Sequence, residues 1–324
     1  MTGGSPGFHQ DPGAPWGTDY HSPALADDVV ELLRGAVLVL DGTLGGGGHA
    51  AALLESGVDR VIGIDRDPDA LAEANARLAP AAARGRFAAY RGNYAAINEI
   101  PAIADLRFEG ILLDLGISSH QIDDASRGFS FRVGAPLDMR MGGSRDAAPS
   151  AAELLDAATE QELTQIFREY GDEPRASRLA REIVRRRATR PFVTSDDLVG
   201  AIRGALGPRT GPAEFARLFQ AVRIAVNDEL AGLARALPAL RDRLAAGGIF
   251  AVIAYHSGED RLVKHAFRDW STDCICPPRL PVCACGGNHA LGNTVTRRAI
   301  VAPADEVARN PRARSARLRA WRTR

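Results

Sequence analysis

The stretch VLVLDGTLGGGGHAAALLE, residues 37–55, decides the fold, because it joins an apolar strand, a glycine-rich turn and a helix. The apolar run ends at Asp41, and the glycines that follow it permit backbone conformations with positive φ. A turn with so few side chains lets backbone N–H groups come close to a ligand. The stretch is typical of a loop that holds a nucleotide, a dinucleotide or a sulfonium cofactor carrying an adenosine.

The same strand–helix alternation continues on both sides of this loop. We predict strands over residues 36–41 and 59–65, one within residues 86–93, and two more over 109–116 and 247–257, with helices between the first four. These strands are apolar without alternation, which is typical of a parallel sheet covered by helices on both faces. The sequence therefore predicts an α/β fold, a doubly wound Rossmann-like sheet interrupted by an inserted helical domain.

The change from alternating elements to a helical block gives the predicted domain boundaries. We expect a long helical stretch across residues 215–244 to break at Pro238. The predicted organisation is a disordered tail over 1–19, the first part of the main domain over 20–118, an inserted helical domain over 119–215, the second part of the main domain over 216–308, and a basic C-terminal tail over 309–324.

Composition excludes several classes of protein. The 324 residues are 45% hydrophobic and 25% charged, as in a globular protein, and 40 Lys and Arg balance 40 Asp and Glu. Only local clusters of charge can therefore indicate a nucleic-acid partner. No apolar run reaches the roughly 18 residues of a membrane span, and four cysteines do not make a disulfide scaffold. We therefore expect a cytoplasmic protein.

The loop itself discriminates between its candidate ligands. Gly45, Gly47 and Ala50 satisfy the weak dinucleotide pattern G-x-G-x-x-A, and Asp65 ends the next strand, where a carboxylate binds ribose hydroxyls. Asp41, however, would place a carboxylate beside a pyrophosphate, which is electrostatically unfavourable. S-adenosylmethionine has no phosphate and carries an ammonium and a sulfonium, so Asp41 favours this cofactor over NAD. The alternative is that these glycines only form a tight turn and bind no ligand.

Several longer motifs occur between residues 20 and 320. They are DGTLGGGGHA (41–50), GIDRDP (63–68), ILLDLGISSHQIDDASRGFSF (111–131), PLDMRM (136–141), YGDEP (170–174), FQAVRIAVNDEL (219–230), YHSGEDRLVK (255–264) and NPRARSARLR (310–319). Together they closely resemble the bacterial S-adenosylmethionine-dependent methyltransferases that modify the N4 amine of a cytidine in the decoding region of 16S ribosomal RNA. The resemblance implies this activity, this cofactor, and 16S rRNA or the small ribosomal subunit as partner.

The resemblance also implies roles for individual residues. Gly47, Gly48 and His49 match the glycine-rich cofactor loop, and Asp65 matches the ribose-binding carboxylate. Tyr94 matches an aromatic position beside the adenine, and Asp114 and Gln121 match two further positions that contact the cofactor. The predicted cofactor-binding residues are therefore Gly47, Gly48, His49, Asp65, Tyr94, Asp114 and Gln121.

The target amine needs hydrogen-bond acceptors, because its lone pair is conjugated with the cytosine ring. Asp138, His256, Glu259 and Asp260 are candidates to contact it or to take its proton. A structural polar residue at the end of a strand is the alternative for His256, and an ion pair with Arg140 or Arg132 is the alternative for Asp138. Two arginine clusters, over residues 175–190 and 309–324, are candidate phosphate contacts or solvated surfaces.

All four cysteines lie within twelve residues as Cys274-x-Cys276 and Cys283-x-Cys285. A structural zinc site, reduced thiols and a redox-labile surface loop all remain open, and we assign no metal ligand. Two alternatives to the methyltransferase function also remain. One is an RNA-binding assembly factor that has the fold but no activity, and the other is an NAD-dependent oxidoreductase. The sequence does not indicate an oligomeric state.

Overall fold

A computed structural model describes residues 23–277, 280 and 282–324. The predicted disordered tail over 1–19 lies outside these residues. The described chain divides into two compact units, of which the first contains the residues up to Asp65, then Asp69–Gly116 and Leu237–Arg324. The second contains Arg66–Pro68 and Ile117–Ala236. None of the described helices is long and apolar enough to cross a membrane.

One mixed sheet forms the first unit, and the predicted fold class is confirmed. Among the described residues its strands are β1 (Leu38–Asp41), β2 (Arg60–Asp65), β3 (Phe87–Arg91), β4 (Phe108–Asp114), β5 (Leu244–Ala254), β6 (Gly292–Thr294), β7 (Ile300–Val301) and β8 (Arg317–Thr323). The strand order is β3-β2-β1-β4-β5-β8-β6, with β7 also paired to β8. Strands β1 to β5 are parallel, and β8 is antiparallel to β5.

The strand order places the ligand-binding edge of the sheet. Strands β1 and β4 are neighbours, and the chain leaves them in opposite directions, toward β2 and β5. In doubly wound sheets, ligands bind at the carboxyl ends of the strands on either side of such a reversal. Asp41 and Asp114 are the last residues of these two strands.

Helices accompany the sheet and form the second unit. The helices with most or all of their residues in the first unit are α1 (Ala26–Leu32), α2 (Gly48–Glu55), α3 (Pro68–Arg77), α4 (Ala79–Ala83), α12 (Ser257–Trp270) and α13 (Ala304–Arg309). Those of the second unit are α5 (Ser119–Asp123), α6 (Ala151–Ala157), α7 (Glu160–Glu169), α8 (Ala176–Arg187), α9 (Ser195–Leu206) and α10 (Pro212–Asn227). The division between the units falls within α11 (Glu229–Arg241). Each unit buries its own apolar core.

The inserted unit ends later than the sequence predicted. The expected boundary at 215/216 falls inside α10, whose apolar face, including Leu218 and Val222, is part of the second unit's core. The predicted break at Pro238 is also wrong, because α11 continues through this proline. The chain breaks at Asp228, whose φ of 52° is left-handed and ends α10.

The C-terminal segment is part of the sheet rather than a basic tail over 309–324. Residues 317–323 form β8, which pairs with β5 over the six residues Ile249–Ala254. Leu318, Ala320 and Trp321 are buried, while Arg317 and Arg322 are exposed. The near-alternation of arginine with apolar residues in RLRAWR is the strand signal that the sequence interpretation missed. Trp321 packs edge-on against Trp270 at the end of α12.

Candidate functional site

The glycine loop after β1 is fixed by hydrogen bonds to the two neighbouring strands. The N–H of Gly42 donates to the carbonyl of Leu112 in β4, and that of Leu44 donates to the carbonyl of Ile64 in β2. Thr43 Oγ1 accepts from the N–H of Asp114 at 2.6 Å. These hydrogen bonds therefore hold the loop against the carboxyl ends of β1, β2 and β4.

Gly47 and Gly48 form the turn from this loop into α2. Gly47 has a φ of 76°, and a Cβ there would lie 3.3 Å from Cβ of Ala74, so a side chain is disfavoured by conformation and by space. Gly48 is the first residue of α2, and its Cβ would lie 3.1 Å from Pro23. The first N–H groups of a helix have no partner within it, so this end of α2 presents donors beside the loop.

Three aspartates end three adjacent strands and form what we call the acidic cup: Asp41 of β1, Asp65 of β2 and Asp114 of β4. Asp65 accepts the N–H of Gly45 at 2.7 Å. Strand register alone brings these carboxylates together, because parallel strands end at the same edge of the sheet.

Asp41 is the most buried member of the acidic cup, at 1% exposure. One carboxylate oxygen accepts the N–H of Thr43 at 3.2 Å, whereas Oδ2 has no hydrogen-bond partner among the described residues. Burial raises the pKa of Asp41 to about 7, and Asp114 and Asp65 add to this rise against the opposing effects of His49 and Thr43. An orphaned buried carboxylate oxygen is costly, and it indicates a missing polar or cationic partner.

Tyr255 and His49 hold Asp114 in place. The Tyr255 hydroxyl donates to Oδ1 of Asp114 at 2.9 Å, and burial together with this carboxylate raises the pKa of Tyr255 well above its ordinary value. His49 Nδ1 lies 3.7 Å from Oδ2, while its Nε2 lies 2.9 Å from the Ala24 carbonyl. The sequence interpretation did not single out Tyr255. The available signal was its position directly after β5, the neighbour of β4.

Tyr94 lies beside the loop, and Gln121 lies in the other unit. Tyr94 begins a short 3₁₀ helix after β3, and a Cβ added at Gly42 would lie 3.4 Å from Cβ of Tyr94. Gln121 is buried in α5, where its amide donates to Asp67 at 2.9 Å and to the Met141 carbonyl at 3.3 Å. Within the first unit, the structure therefore groups the predicted residues of the glycine loop with Asp65, Tyr94 and Asp114.

The candidate acceptors for a target amine all make intramolecular contacts. Asp138 pairs with Arg140 at 2.7 Å. Burial would raise the pKa of Asp138, but the hydrogen bonds from Arg140 outweigh this effect and lower it. Asp260 accepts hydrogen bonds from both Nε and Nη2 of Arg319, at 2.7 and 3.1 Å.

His256 and Glu259 form the N-terminal cap of α12. Oε2 of Glu259 accepts the N–H groups of Tyr255 and His256. His256 Nδ1 accepts the N–H of Glu259 at 3.4 Å, and its Nε2 lies 3.2 Å from Oε1 of Glu259 without hydrogen-bond geometry. This capping explains why the pair directly follows a strand and opens a helix.

A basic cavity of about 290 Å³ lies at the carboxyl end of β5. It is lined by Tyr255, His256, Ser257, Asp260, Val301, Arg314, Ser315, Ala316 and Arg317. Tyr255 belongs both to this cavity and to the hydrogen bond with Asp114 in the acidic cup. The cavity therefore lies next to the acidic cup, and its two arginines, Arg314 and Arg317, are exposed.

The other arginine cluster is largely engaged in contacts of its own. Arg185 and Arg186 both bond to Glu182 and hold its pKa at about 2. Arg187 donates to the carbonyls of Leu155 and Ala158. These contacts fit a structural role for this part of the 175–190 cluster.

Comparison with known proteins gives matches along nearly the whole chain. The model of a family described as "MraW methylase family" matches residues 18–324. A relative from Gemmatimonas aurantiaca, named "Ribosomal RNA small subunit methyltransferase H", is 62% identical over 94% of this chain and 95% of its own length. A relative of the same name from Heliobacterium modesticaldum is 47% identical over 93% of this chain and 97% of its own.

Proposed function

The chain belongs to the MraW methylase family, and from this premise we propose that it transfers a methyl group from S-adenosylmethionine to the N4 amine of a cytidine in 16S ribosomal RNA. The relatives named for methylation of small-subunit rRNA support the reaction and the substrate class. The observation that carries the cofactor assignment is the acidic cup with its orphaned Asp41 oxygen. The cytoplasm follows as the location, because the substrate is ribosomal RNA.

The residues of the acidic cup fit the cofactor's functional groups. Asp41 Oδ2 accepts the cofactor's ammonium, and the N–H groups at the start of α2 face its carboxylate. Asp65 accepts the ribose hydroxyls, and the Tyr94 ring lies against the adenine. The cofactor supplies an electrophilic methyl group on a sulfonium, and the surrounding carboxylates are electrostatically compatible with that positive charge.

The same cup disfavours NAD. Burial raises the pKa of Asp41, and the nearby Asp114 and Asp65 add to this rise. A pyrophosphate beside Asp41 would add further negative charge at a site without a described basic side chain in the loop over residues 41–48. The electrostatics therefore favour a cationic ligand.

The cavity at the end of β5 is the place for the RNA. Arg314 and Arg317 contact phosphate oxygens there, since the guanidinium fork matches their geometry. Tyr255 links this cavity to Asp114, so RNA bound in the cavity lies close to the cofactor residues. His256 and Asp260 line the cavity and are the candidates to receive hydrogen bonds from the target amine.

The reaction is tested with small ribosomal subunits from cells that lack this gene. We expect transfer from labelled S-adenosylmethionine, with N4-methylcytidine at one position in the nucleoside mass spectrum. Asp65→Asn should abolish cofactor binding, whereas Asp59→Asn, an exposed aspartate just before β2, should leave it unchanged. Cofactor binding without transfer would favour the inactive assembly factor, and binding of NAD in its place would refute the assignment.

The RNA surface is tested by salt dependence. Replacing both Arg314 and Arg317 by alanine should reduce the slope of log affinity against log salt by about 1.4, from two phosphate contacts at about 0.7 each. Arg322→Ala is the matched control, because Arg322 is exposed on the same strand about 17 Å from Arg317. Equal slopes for the double variant and the control would remove this cavity from the RNA interface.

The candidate amine contacts are tested separately by single-turnover kinetics. His256→Asn keeps a capping acceptor for α12 but removes the imidazole, and Asp260→Asn keeps the shape of the side chain. A rate that falls about a hundredfold with cofactor binding intact would support the residue as the acceptor. An unchanged rate would leave it with its structural contact alone.

A further inference from the structure

The four cysteines converge on one point in space. The Sγ atom of Cys283 lies 3.6 Å from that of Cys274, 3.6 Å from that of Cys285 and 4.0 Å from that of Cys276. Cys285 and Cys274 are separated by 3.7 Å between their Sγ atoms. These distances are far too long for disulfides, whose sulfur atoms are about 2.05 Å apart. They describe a compact cluster of four reduced thiols.

The separations match the edges of a tetrahedron around a metal ion. Four sulfurs at a Zn–S distance of about 2.3 Å lie about 3.8 Å from one another. All four Sγ atoms here lie within 4.8 Å of one another, and the four separations given above scatter around the tetrahedral value. We propose that Cys274, Cys276, Cys283 and Cys285 bind one Zn²⁺ ion as thiolates.

Backbone donors around the cluster support thiolate ligands. The N–H groups of Ala284 and Cys285 point at Sγ of Cys276, at 3.2 and 3.3 Å. Such N–H···S contacts stabilise the negative charge of a ligating sulfur and orient it toward the metal. The C-x-C spacing is tighter than that of a C-x₂-C zinc knuckle, but the fold of this loop compensates, because it brings the second pair back onto the first.

The location indicates a structural role for the metal. The loop lies between the end of α12 at Trp270 and the start of β6 at Gly292. Within it, the side chains of Ile275 and Val282 are 64% and 75% exposed. Apolar burial therefore contributes little at these two positions, and the metal supplies a constraint in its place. Four thiolates also leave no open coordination position, unlike a catalytic zinc.

The metal site is remote from the acidic cup. The β6 edge of the sheet is separated from β1 by four strand spacings, which is about 19 Å. Loss of the ion should therefore lower the thermal unfolding midpoint without changing cofactor affinity by more than about twofold. This expectation separates the zinc proposal from the proposed methyltransferase function.

The experiment measures metal content in the full chain, purified without a histidine tag under reducing conditions. We expect inductively coupled plasma mass spectrometry to find one zinc ion per chain in the parent, and less than a tenth of that in Cys283→Ser. Val282→Ser is the matched control, since it alters the adjacent exposed position without removing a thiol. If Cys283→Ser does not fold, titration of Co²⁺ into the metal-stripped parent should still give the visible spectrum of a tetrahedral tetrathiolate site.

Three results would overturn the proposal. The first is a folded chain with four reduced thiols that takes up neither zinc nor cobalt. The second is a mass lower by four hydrogens, which would show two disulfides in the purified protein. The third is zinc content that is equal in Cys283→Ser and the parent, or iron bound in place of zinc.

Discussion

Replacing Asp41 by asparagine should make the protein more stable and a weaker binder of its cofactor. Asp41 is 1% exposed, and burial raises its pKa from 3.8 to about 7. Because the pKa of Asp41 is higher in the folded chain than in the unfolded chain, the free energy of unfolding is larger at low pH. This contribution is lost as the pH rises from 3.8 through 7. The loss is about 4 kcal/mol, from roughly 3.2 pKa units at 1.36 kcal/mol each.

The asparagine variant lacks this titration. Its free energy of unfolding should therefore exceed that of the parent by up to about 4 kcal/mol above pH 7, and the difference should vanish near pH 4. The contact with the Thr43 N–H survives the change, since the amide oxygen of asparagine accepts the same hydrogen bond. Urea denaturation of both proteins between pH 4 and 8, without ligand, measures the difference.

Cofactor binding should show the opposite effect. An ammonium beside Asp41 binds the ionised form, so the parent's affinity should fall below pH 7 as the carboxyl becomes protonated. With a pKa of about 7, the dissociation constant should be about eightfold higher at pH 6.0 than at pH 7.5. The range stops at pH 7.5 because an α-amino group loses its own proton near pH 7.7–8.0.

Isothermal calorimetry in buffers of different ionisation enthalpy measures both the affinity and the protons released. The asparagine variant should bind at least tenfold more weakly than the parent at pH 7.5, with no pH dependence from this group. Asp59→Asn, which changes an exposed carboxyl, is the matched control and should match the parent. Cofactor affinity of the parent that is constant from pH 6.0 to 7.5, with no proton released, would refute the assignment of Asp41 to the ammonium.

Three further substitutions test the packing that supports the site. Tyr255→Phe removes a buried donor to Asp114, so it should lower the free energy of unfolding by about 2 kcal/mol in urea denaturation and weaken cofactor binding in calorimetry. Unchanged values for both would show that this hydrogen bond is dispensable. Trp321→Ala should lower the free energy of unfolding by about 3–5 kcal/mol, because this side chain of β8 is fully buried. A change below 1 kcal/mol in the same urea assay would indicate that the C-terminal segment contributes little to the core. Arg127→Ala leaves the buried Asp67 without its ion pair at 2.8 Å and should cost about 3–5 kcal/mol, whereas Arg127→Lys should recover part of that loss.

Local patterns in the sequence determined the elements and the cofactor loop. Apolar runs of strand length, separated by helical stretches, predicted the parallel strands β1 to β4 to within about two residues of the bounds in the structure. The glycines of the loop act through backbone freedom, which depends on the residue itself, and Gly47 does adopt a positive φ. Asp41 and Asp65 were recognisable because a carboxylate at the end of a parallel strand has a defined place in this fold.

Contacts between distant parts of the chain decided the rest. Strand β8 pairs with β5 across 65 residues, from Ile253 to Leu318, and its arginines hid the apolar alternation that would have predicted it. Tyr255 is joined to Asp114 only because β4 and β5 lie side by side. The ion pair of Asp260 with Arg319 joins residues 59 apart in the chain, which sequence spacing could not assign, and the pair of Asp138 with Arg140 was only one of the alternatives that the sequence left open.

The four cysteines show this division most clearly. Their sequence spacing allowed zinc, free thiols or redox chemistry, because spacing along the chain does not determine the distances between sulfur atoms. The tertiary structure sets four of the six distances at 3.6 to 4.0 Å and keeps all of them within 4.8 Å, because the second pair lies against the first. Residue types and local periodicity thus specify which chemistry is available, whereas the positions of atoms from separate segments specify which chemistry the fold can hold.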